Sequence, residues 1–410
     1  MTIGERVVIA SRLFPPEVSA GAFRLGALAR SLAESSSEVR VLTTRPPSHA
    51  PRIADAVGVD VRRWPVLRDA GGNVRGYLQY MSFDVPLIVR LICARYDVAV
   101  AESPPTTGLV VAMVSALRRR PFVYYAADVW TDGVISMGAP RAVVSVMRWM
   151  ERAVLSRARR IISVSDEVTE RLTLLGAEQD AIVTVGNGID TDIFNPDVVA
   201  ASTDTYFVYT GTMSEWQQPD VFIRAFAQIA AEQPDVRLRF FGQGAVESEL
   251  HRLAEELVPG RVDFGGVVSP AESASWIRCA VASLVSIVPG IGYDFAKPTK
   301  TYAAAATGTP VLFAGPSAGA DLVTGADLGR AVGFSIDAVA TAMRELLRDV
   351  ENGTSERESS RRAAWAQQHV SLRAVAERVA ETVAQVSQMR PSKLERASGT
   401  EFGEGERPVS

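Results

Sequence analysis

Histidine and cysteine are almost missing from this chain of 410 residues, which holds three of the former and two of the latter. No His/Cys cluster has the spacing of a metal site. The two cysteines, Cys93 and Cys279, stand far apart in apolar surroundings, so buried thiols are expected and a disulfide framework is not. Long apolar runs are also lacking, since the longest stop well short of the ~20 residues that a membrane span requires. The chain enters the strand-like Val7-Val8-Ile9-Ala10 without the basic and apolar regions of an export signal before it. Aromatic residues make up only 7%, against 47% hydrophobic and 22% charged, the balance of an ordinary globular protein. What these absences leave is a cytoplasmic enzyme or binding protein.

At this length one core does not suffice, and two domains are expected. Strand-like runs alternate with helical patterns throughout, which argues for α/β domains with parallel sheets. In the first half the strands fall at 6–10, 38–43, 57–64, 98–101, 122–126, 160–164 and 182–185, with helices between them such as 22–34 and 106–118. The second half restarts at 206–209 and continues at 237–241, 262–264, 282–286, 311–313 and 330–334. Asn195-Pro196-Asp197 and the small polar residues up to Thr205 read as a linker. The resulting division is a Rossmann-like domain over 1–197, a second over 198–360, a helix over 361–388 and a polar, disordered tail over 389–410. Two doubly wound domains joined in this way face each other across a cleft at the carboxyl ends of their strands.

The net charge of -4 hides an asymmetry, because residues 1–190 hold 23 arginines against 19 acidic residues. Arg118-Arg119-Arg120, Arg141, Arg148, Arg152, Arg157, Arg159 and Arg160 concentrate the positive charge. With Val143, Val144, Val146, Met147, Trp149 and Met150 interleaved, 139–160 reads as a basic amphipathic helix. Its face either packs on its own domain or meets an anionic membrane surface or a lipid-linked phosphate. Nucleic acid is not expected, since no binding motif accompanies the charge.

The loops after the strands carry the chemistry. Residues 298–311, PTKTYAAAATGTPV, place Pro298, a Thr suited to capping (Thr299) and Lys300 ahead of a small-residue helix. Such a start offers free N–H groups, a positive dipole end and a lysine to an anion, and the alanine run leaves room for a ligand near the backbone. A tightly packed helix would use the same residues. Residues 13–24, LFPPEVSAGAFR, put Gly21 and Ala22 at a helix start where backbone can approach a ligand. SPPTTG at 103–108 repeats the arrangement. Asp128, in AADVW, lies just past a strand end, placed for a general base or for a helix cap. NGIDTDIF (187–194) closes the first half, while Gly211-Thr212 and Gly242-Gln243-Gly244 end two strands of the second.

Taken in order, these segments resemble the retaining, GT-B-fold glycosyltransferases of family 4, over about residues 6–385. The likeness is nearest to the subgroup that builds cell-surface polysaccharides on lipid-linked acceptors. FPPE, SPP, Asp128-Val129-Trp130, NGID, GQG and PTK…GTPV carry it. The resemblance implies two Rossmann-like domains facing a cleft, with a C-terminal helix crossing back to the first. It also implies sugar transfer from a nucleotide-sugar donor to a glycan or polyprenyl-linked acceptor, with no metal or other cofactor. Gly21 and Ala22 would approach the donor phosphate and sugar, and Lys300 and the helix start at Thr299 would neutralise the diphosphate. Gly211, Thr212, Gly242 and Gly244 would line the donor site, and Asp128 falls in the catalytic region.

The chain departs from the family at three places. The usual ribose-binding Glu is Ala303, a second Glu position is Phe295 with Asp294 beside it, and the Arg/Lys pair after the first glycine turn is absent from 212–218. Asp294 is the candidate replacement. An active enzyme with an atypical donor pocket is the leading reading. The alternatives are a catalytically inactive protein of the same fold that binds a glycan, a lipid intermediate or a partner enzyme, and a sugar-nucleotide epimerase of similar fold.

Overall fold

The computed structural model describes residues 5–389, apart from positions 18, 36, 48–49, 51–53, 70–73, 75, 137, 292 and 295. Phe295 and residues 390–410 of the expected tail therefore lie outside the described residues. The chain divides into two units, Met1–Val185 with Ala376–Ser410, and Gly186–Val375.

In the first unit, β1 (Arg6–Ala10), β2 (Glu38–Thr44), β3 (Val59–Trp64), β4 (Val98–Glu102), β5 (Phe122–Ala126), β6 (Arg160–Ser163) and β7 (Ile182–Thr184) form one sheet. Their order is β3-β2-β1-β4-β5-β6-β7, parallel at every pair. The second unit repeats the plan with β8 (Tyr206–Thr210), β9 (Arg237–Phe241), β10 (Val262–Phe264), β11 (Ala282–Ser286), β12 (Val311–Ala314) and β13 (Gly329–Val332), in the order β10-β9-β8-β11-β12-β13. Strands β4, β5, β8 and β11 are buried along their whole length. This is why they read as apolar runs instead of alternating ones. The order reverses between β1 and β4, and again between β8 and β11, so loops diverge there and open a crevice at the strand carboxyl ends within each unit.

Helices cover both sheets. Phe83, Leu87 and Leu91 of helix Tyr77–Cys93 pack with Val111, Tyr124 and Val154 in the first core. In the second, Phe222 and Phe226 fill one side, while Ala303 to Ala306 pack with Ile277, Val285, Ile287 and Phe313 on the other. The alanine run thus leaves no room for a ligand: it lets helix Thr299–Ala306 lie close on the sheet.

Three further expectations change. Cys93 and Cys279 are exposed, because each stands where a helix ends and turns away from the core. The 361–388 stretch is two helices, Ser359–His369 and Leu372–Gln388. They meet at Ser371, whose backbone pairs with Ile189 of the NGID run. The unit boundary falls at 185/186, ahead of the stretch read as a linker, where the Pro196 carbonyl accepts from Arg278 Nε at 2.6 Å.

Candidate functional site

In the second unit the loops after β8 and β9 are laced together through their backbones. Gly211 N donates to Phe241 O (2.8 Å) and Met213 N to Gln243 O (3.0 Å). Gly242 has φ +129°, and a Cβ built there would lie 1.9 Å from Gly211 O; one on Gly244 would lie 2.0 Å from Met213 O. The contact between loops therefore dictates these glycines, before any ligand is considered.

Lys300 rises beside this crossing. Its Nζ stands 3.6 Å from the centroid of the Tyr209 ring and donates to Thr212 O at 3.3 Å. A Cβ on Gly211 would come within 3.1 Å of its Cε. No carboxylate pairs with Lys300 among the described residues. Burial without such a partner pushes its ammonium down to about 7. The Tyr209 hydroxyl has Thr212 O at 2.6 Å and Gln217 Oε1 at 2.9 Å as alternative acceptors for its one proton, which fixes the loop under the lysine.

Helix Thr299–Ala306 opens on Pro298 as its N-cap, with no side-chain cap. Thr299 is therefore its first helical residue and not the cap, since Pro298 holds the extended backbone that a cap needs. Gly211, Met213 and Gly242 spend their N–H groups within the loops, whereas Lys300 and the first N–H groups of this helix are of a kind that suits an anion. Asp294 Oδ1 accepts from Gly290 N (2.8 Å), so that carboxylate closes its own loop. Ala303 is buried, and the chain has no carboxylate at that position.

In the first unit, Ser19 caps helix Ala20–Glu34 and takes the Ala22 N–H at 3.1 Å. Gly21 is buried, and a Cβ on it would lie 2.6 Å from Glu102 Oε1. Here too the glycine is explained by a protein neighbour. Glu102 accepts from Ser11 Oγ (2.5 Å) and stands 3.9 Å from Arg24; burial raises its pKa above the usual carboxylate range. Arg12 is buried, its Nε and Nη1 make no hydrogen bond among the described residues, and its guanidinium lies 3.8 Å from the Tyr80 ring centroid. Tyr80 in turn meets Trp130 edge-on at 5.9 Å.

Asp128 is exposed, in the turn between β5 and helix Trp130–Ser136. It does not cap that helix. Glu151, buried on helix Arg141–Leu155, does so from a distance in sequence, accepting Trp130 N (2.7 Å) and Thr131 N (2.9 Å) on its two oxygens. Burial raises the pKa of Glu151, and those hydrogen bonds oppose the shift.

Arg12, Glu102 and Glu151 were missed because each meets its partners, distant in sequence, only in the folded chain. Lys300 carried a signal of its own, as one of only three lysines beside 40 arginines.

Two doubly wound units with ligand-type loops at the strand ends define the GT-B fold. Residues 20–188 match the model of the glycosyl transferase 4-like domain, and 204–349 match that of glycosyl transferases group 1. The first match falls almost wholly in the first unit and the second in the second unit, so each unit carries a glycosyltransferase domain, and the fold is GT-B. It is 29% identical over 185 residues to D-inositol 3-phosphate glycosyltransferase 2 of Catenulispora acidiphila, covering 40% of this chain and 42% of that relative. The chain thus spans less than half the length of the curated relative it matches. Among solved structures, HepE of Anabaena in complex with UDP-glucose superposes with a TM-score of 0.61 at 16% identity, over 93% of this chain and all of that one. A glycosyltransferase of Rickettsia africae gives a TM-score of 0.68 at 12% identity, over 94% and 99% of the two chains.

Replacing Glu151 by Ala removes both oxygens and leaves two N–H groups without partners. The first unit should lose about 2–4 kcal/mol of stability in urea unfolding. Glu151→Gln, which keeps one acceptor, should recover part of the loss; wild-type stability in Glu151→Ala would refute the cap.

Proposed function

We propose that the chain is a retaining glycosyltransferase, acting without a metal, whose second unit holds a nucleotide sugar and whose first unit holds a hydroxyl acceptor. The observation that carries this reading is Lys300, an ammonium without a carboxylate partner at the crossing of two glycine loops and at the start of a helix. As the glycosidic bond to the diphosphate breaks, negative charge grows on the leaving oxygen, and a cation fixed there lowers the barrier. The new bond forms from the acceptor oxygen to the same face of the sugar. We assign the proton of that hydroxyl to Asp128, the exposed carboxylate at the end of β5. Gly21 and Ala22 keep the donor-side role that the family pattern implies. The matched family models support transfer chemistry, and UDP-glucose in HepE supports a nucleotide-sugar donor.

The acceptor class we propose is a glycan or polyprenyl-linked saccharide in cell-envelope or exopolysaccharide assembly, handled at the inner face of the membrane. No helix among the described residues is long and apolar enough to cross a membrane. Helix Arg141–Leu155 exposes Val143, Val146 and Trp149 beside Arg141 and Arg148. The neighbouring helices Tyr77–Cys93 and Pro105–Arg118 expose Val85, Val89, Met113 and Leu117. Apolar side chains flanked by arginine suit an anionic lipid surface.

The test of the donor site is calorimetry with nucleoside diphosphates and nucleotide sugars. Lys300→Ala should weaken binding about tenfold or more. A diphosphate favours the charged amine, so wild-type affinity should be full below pH 7 and fall as pH rises past it, by up to about tenfold per unit. The variant should lose this dependence. Unchanged binding would remove Lys300 from the site.

Asp128→Asn should lower turnover about 100-fold or more with donor affinity preserved, and full turnover would end the assignment. For the membrane, the chain should float with vesicles of phosphatidylcholine and phosphatidylglycerol, and Val146→Glu with Trp149→Glu should abolish this. Flotation unaffected by that pair would refute the surface.

A further inference from the structure

We infer that the first unit holds a site for an oxyanion, phosphate or carboxylate, at Arg12, and that the acceptor carries this group. The second clause rests on the acceptor reading above; the site itself does not. Among the described residues three arginines are buried, Arg12, Arg239 and Arg362. Arg239 pairs with Asp204 and Asp263, and Arg362 donates to the carbonyls of Gly308 and Ser355. Arg12, 8% exposed, does neither among the described residues, and its Nε and Nη1 are closed off from solvent as well.

The groups around Arg12 leave its charge unanswered. Two carboxylates act on it, Asp84 and Glu102, yet neither forms an ion pair with it. Asp84 accepts from Thr107 Oγ1 at 2.7 Å, while Glu102 takes Ser11 Oγ and faces Arg24. Burial raises the pKa of both carboxyl groups, which weakens what they offer a cation. Stacking on the Tyr80 ring offsets only part of what it costs to take a full charge out of water. A second donor stands by the same ring. Trp130 meets Tyr80 edge-on, and its indole Nε1 is buried with no hydrogen bond among the described residues.

These donors fit one kind of ligand. A guanidinium offers paired N–H groups to two oxygens, and an indole offers one more. Phosphate and carboxylate accept from both and also cancel the charge, which a neutral hydroxyl cannot do. Tyr80 and Trp130 are themselves half-buried, and entry past their rings would bring the oxyanion against both donors. The place of Trp130 in the chain ties this anion to the acceptor. It lies two residues after Asp128, to which we assign the acceptor's proton, and Glu151 holds that turn through the N–H groups of Trp130 and Thr131. Lys300, the cation proposed for the donor diphosphate, belongs to the other unit.

Calorimetry and melting curves of the full chain with glucose 6-phosphate, glucuronate and glucose decide the matter. Wild type should bind one of the charged sugars about tenfold or more tightly than glucose, and which one tells phosphate from carboxylate. Arg12→Met, which removes the charge and keeps an unbranched chain, should lose this preference, whereas Lys300→Ala should keep it. Affinities for UDP, GDP and ADP should be the same in Arg12→Met as in wild type. Without ligand that variant should melt no lower than wild type, since an unpaired buried charge gives way to an apolar chain. The charged sugar should raise the melting temperature of wild type and not of Arg12→Met. Melting well below wild type would make Arg12 a structural residue and refute the site, as would failure of both charged sugars to bind. Loss of the preference in Lys300→Ala, or of nucleotide affinity in Arg12→Met, would move the anion to the donor and overturn the assignment. Glucose bound as tightly as the charged sugars would refute the anion site and leave the acceptor reading standing.

Discussion

Where the loops after β8 and β9 cross, no side chain fits. Gly242 meets the carbonyl of Gly211 and Gly244 that of Met213, at separations a Cβ could not tolerate. Much of the second unit's ligand side follows from this contact. It brings the ends of neighbouring strands within hydrogen-bonding distance, and it uses N–H groups that would otherwise face solvent. It also sets the path of the loop whose Thr212 carbonyl receives Lys300. Lys300 and the start of helix Thr299–Ala306 then stand beside loops in which the N–H groups of Gly211, Met213 and Gly242 are already spent.

The first unit solves a different problem with buried charge. Glu102 lies under Gly21, Arg12 lies on Tyr80, and Tyr80 meets Trp130. Isolated charges in such places would cost several kcal/mol, so each needs a partner or a ring face. The chain from Arg12 through Tyr80 to Trp130 links the loop after β1 to the turn after β5, which carries Asp128. Glu151 holds the same turn from the other side. An exposed carboxylate gains a fixed position from groups that are themselves out of water.

The two sheets were legible because parallel strands buried on both faces leave apolar runs, and all thirteen strands stand within two residues of where the sequence puts them. Ends were less clear: β13 stops at Val332 and β3 begins at Val59, where burial gives out before the apolar run does. The break between Ser359–His369 and Leu372–Gln388 escaped notice since it depends on Ile189, far away in the chain. Exposure of Cys93 and Cys279 is a matter of where helices end, which local apolarity does not report. In the site, Lys300 and the glycines could be picked out from local pattern. Their reasons could not, because Gly21 answers to Glu102 and Gly242 to Gly211 across the sheet.

Desolvation of Lys300 at first looks like a handicap for the role we propose for it, neutralising a diphosphate. Burial draws its proton affinity down toward neutrality, so a share of the molecules in water at pH 7 carries an uncharged amine. The same removal of water raises the strength of any charge interaction made there, since Coulomb energy scales inversely with the local dielectric. A carboxylate partner would have kept the amine charged but would also have claimed much of its field. The Tyr209 ring does neither, offering a diffuse negative face that leaves the ammonium open to a stronger anion. A lysine without a carboxylate partner thus keeps its field for whatever anion arrives, and its charge is coupled to pH near neutrality.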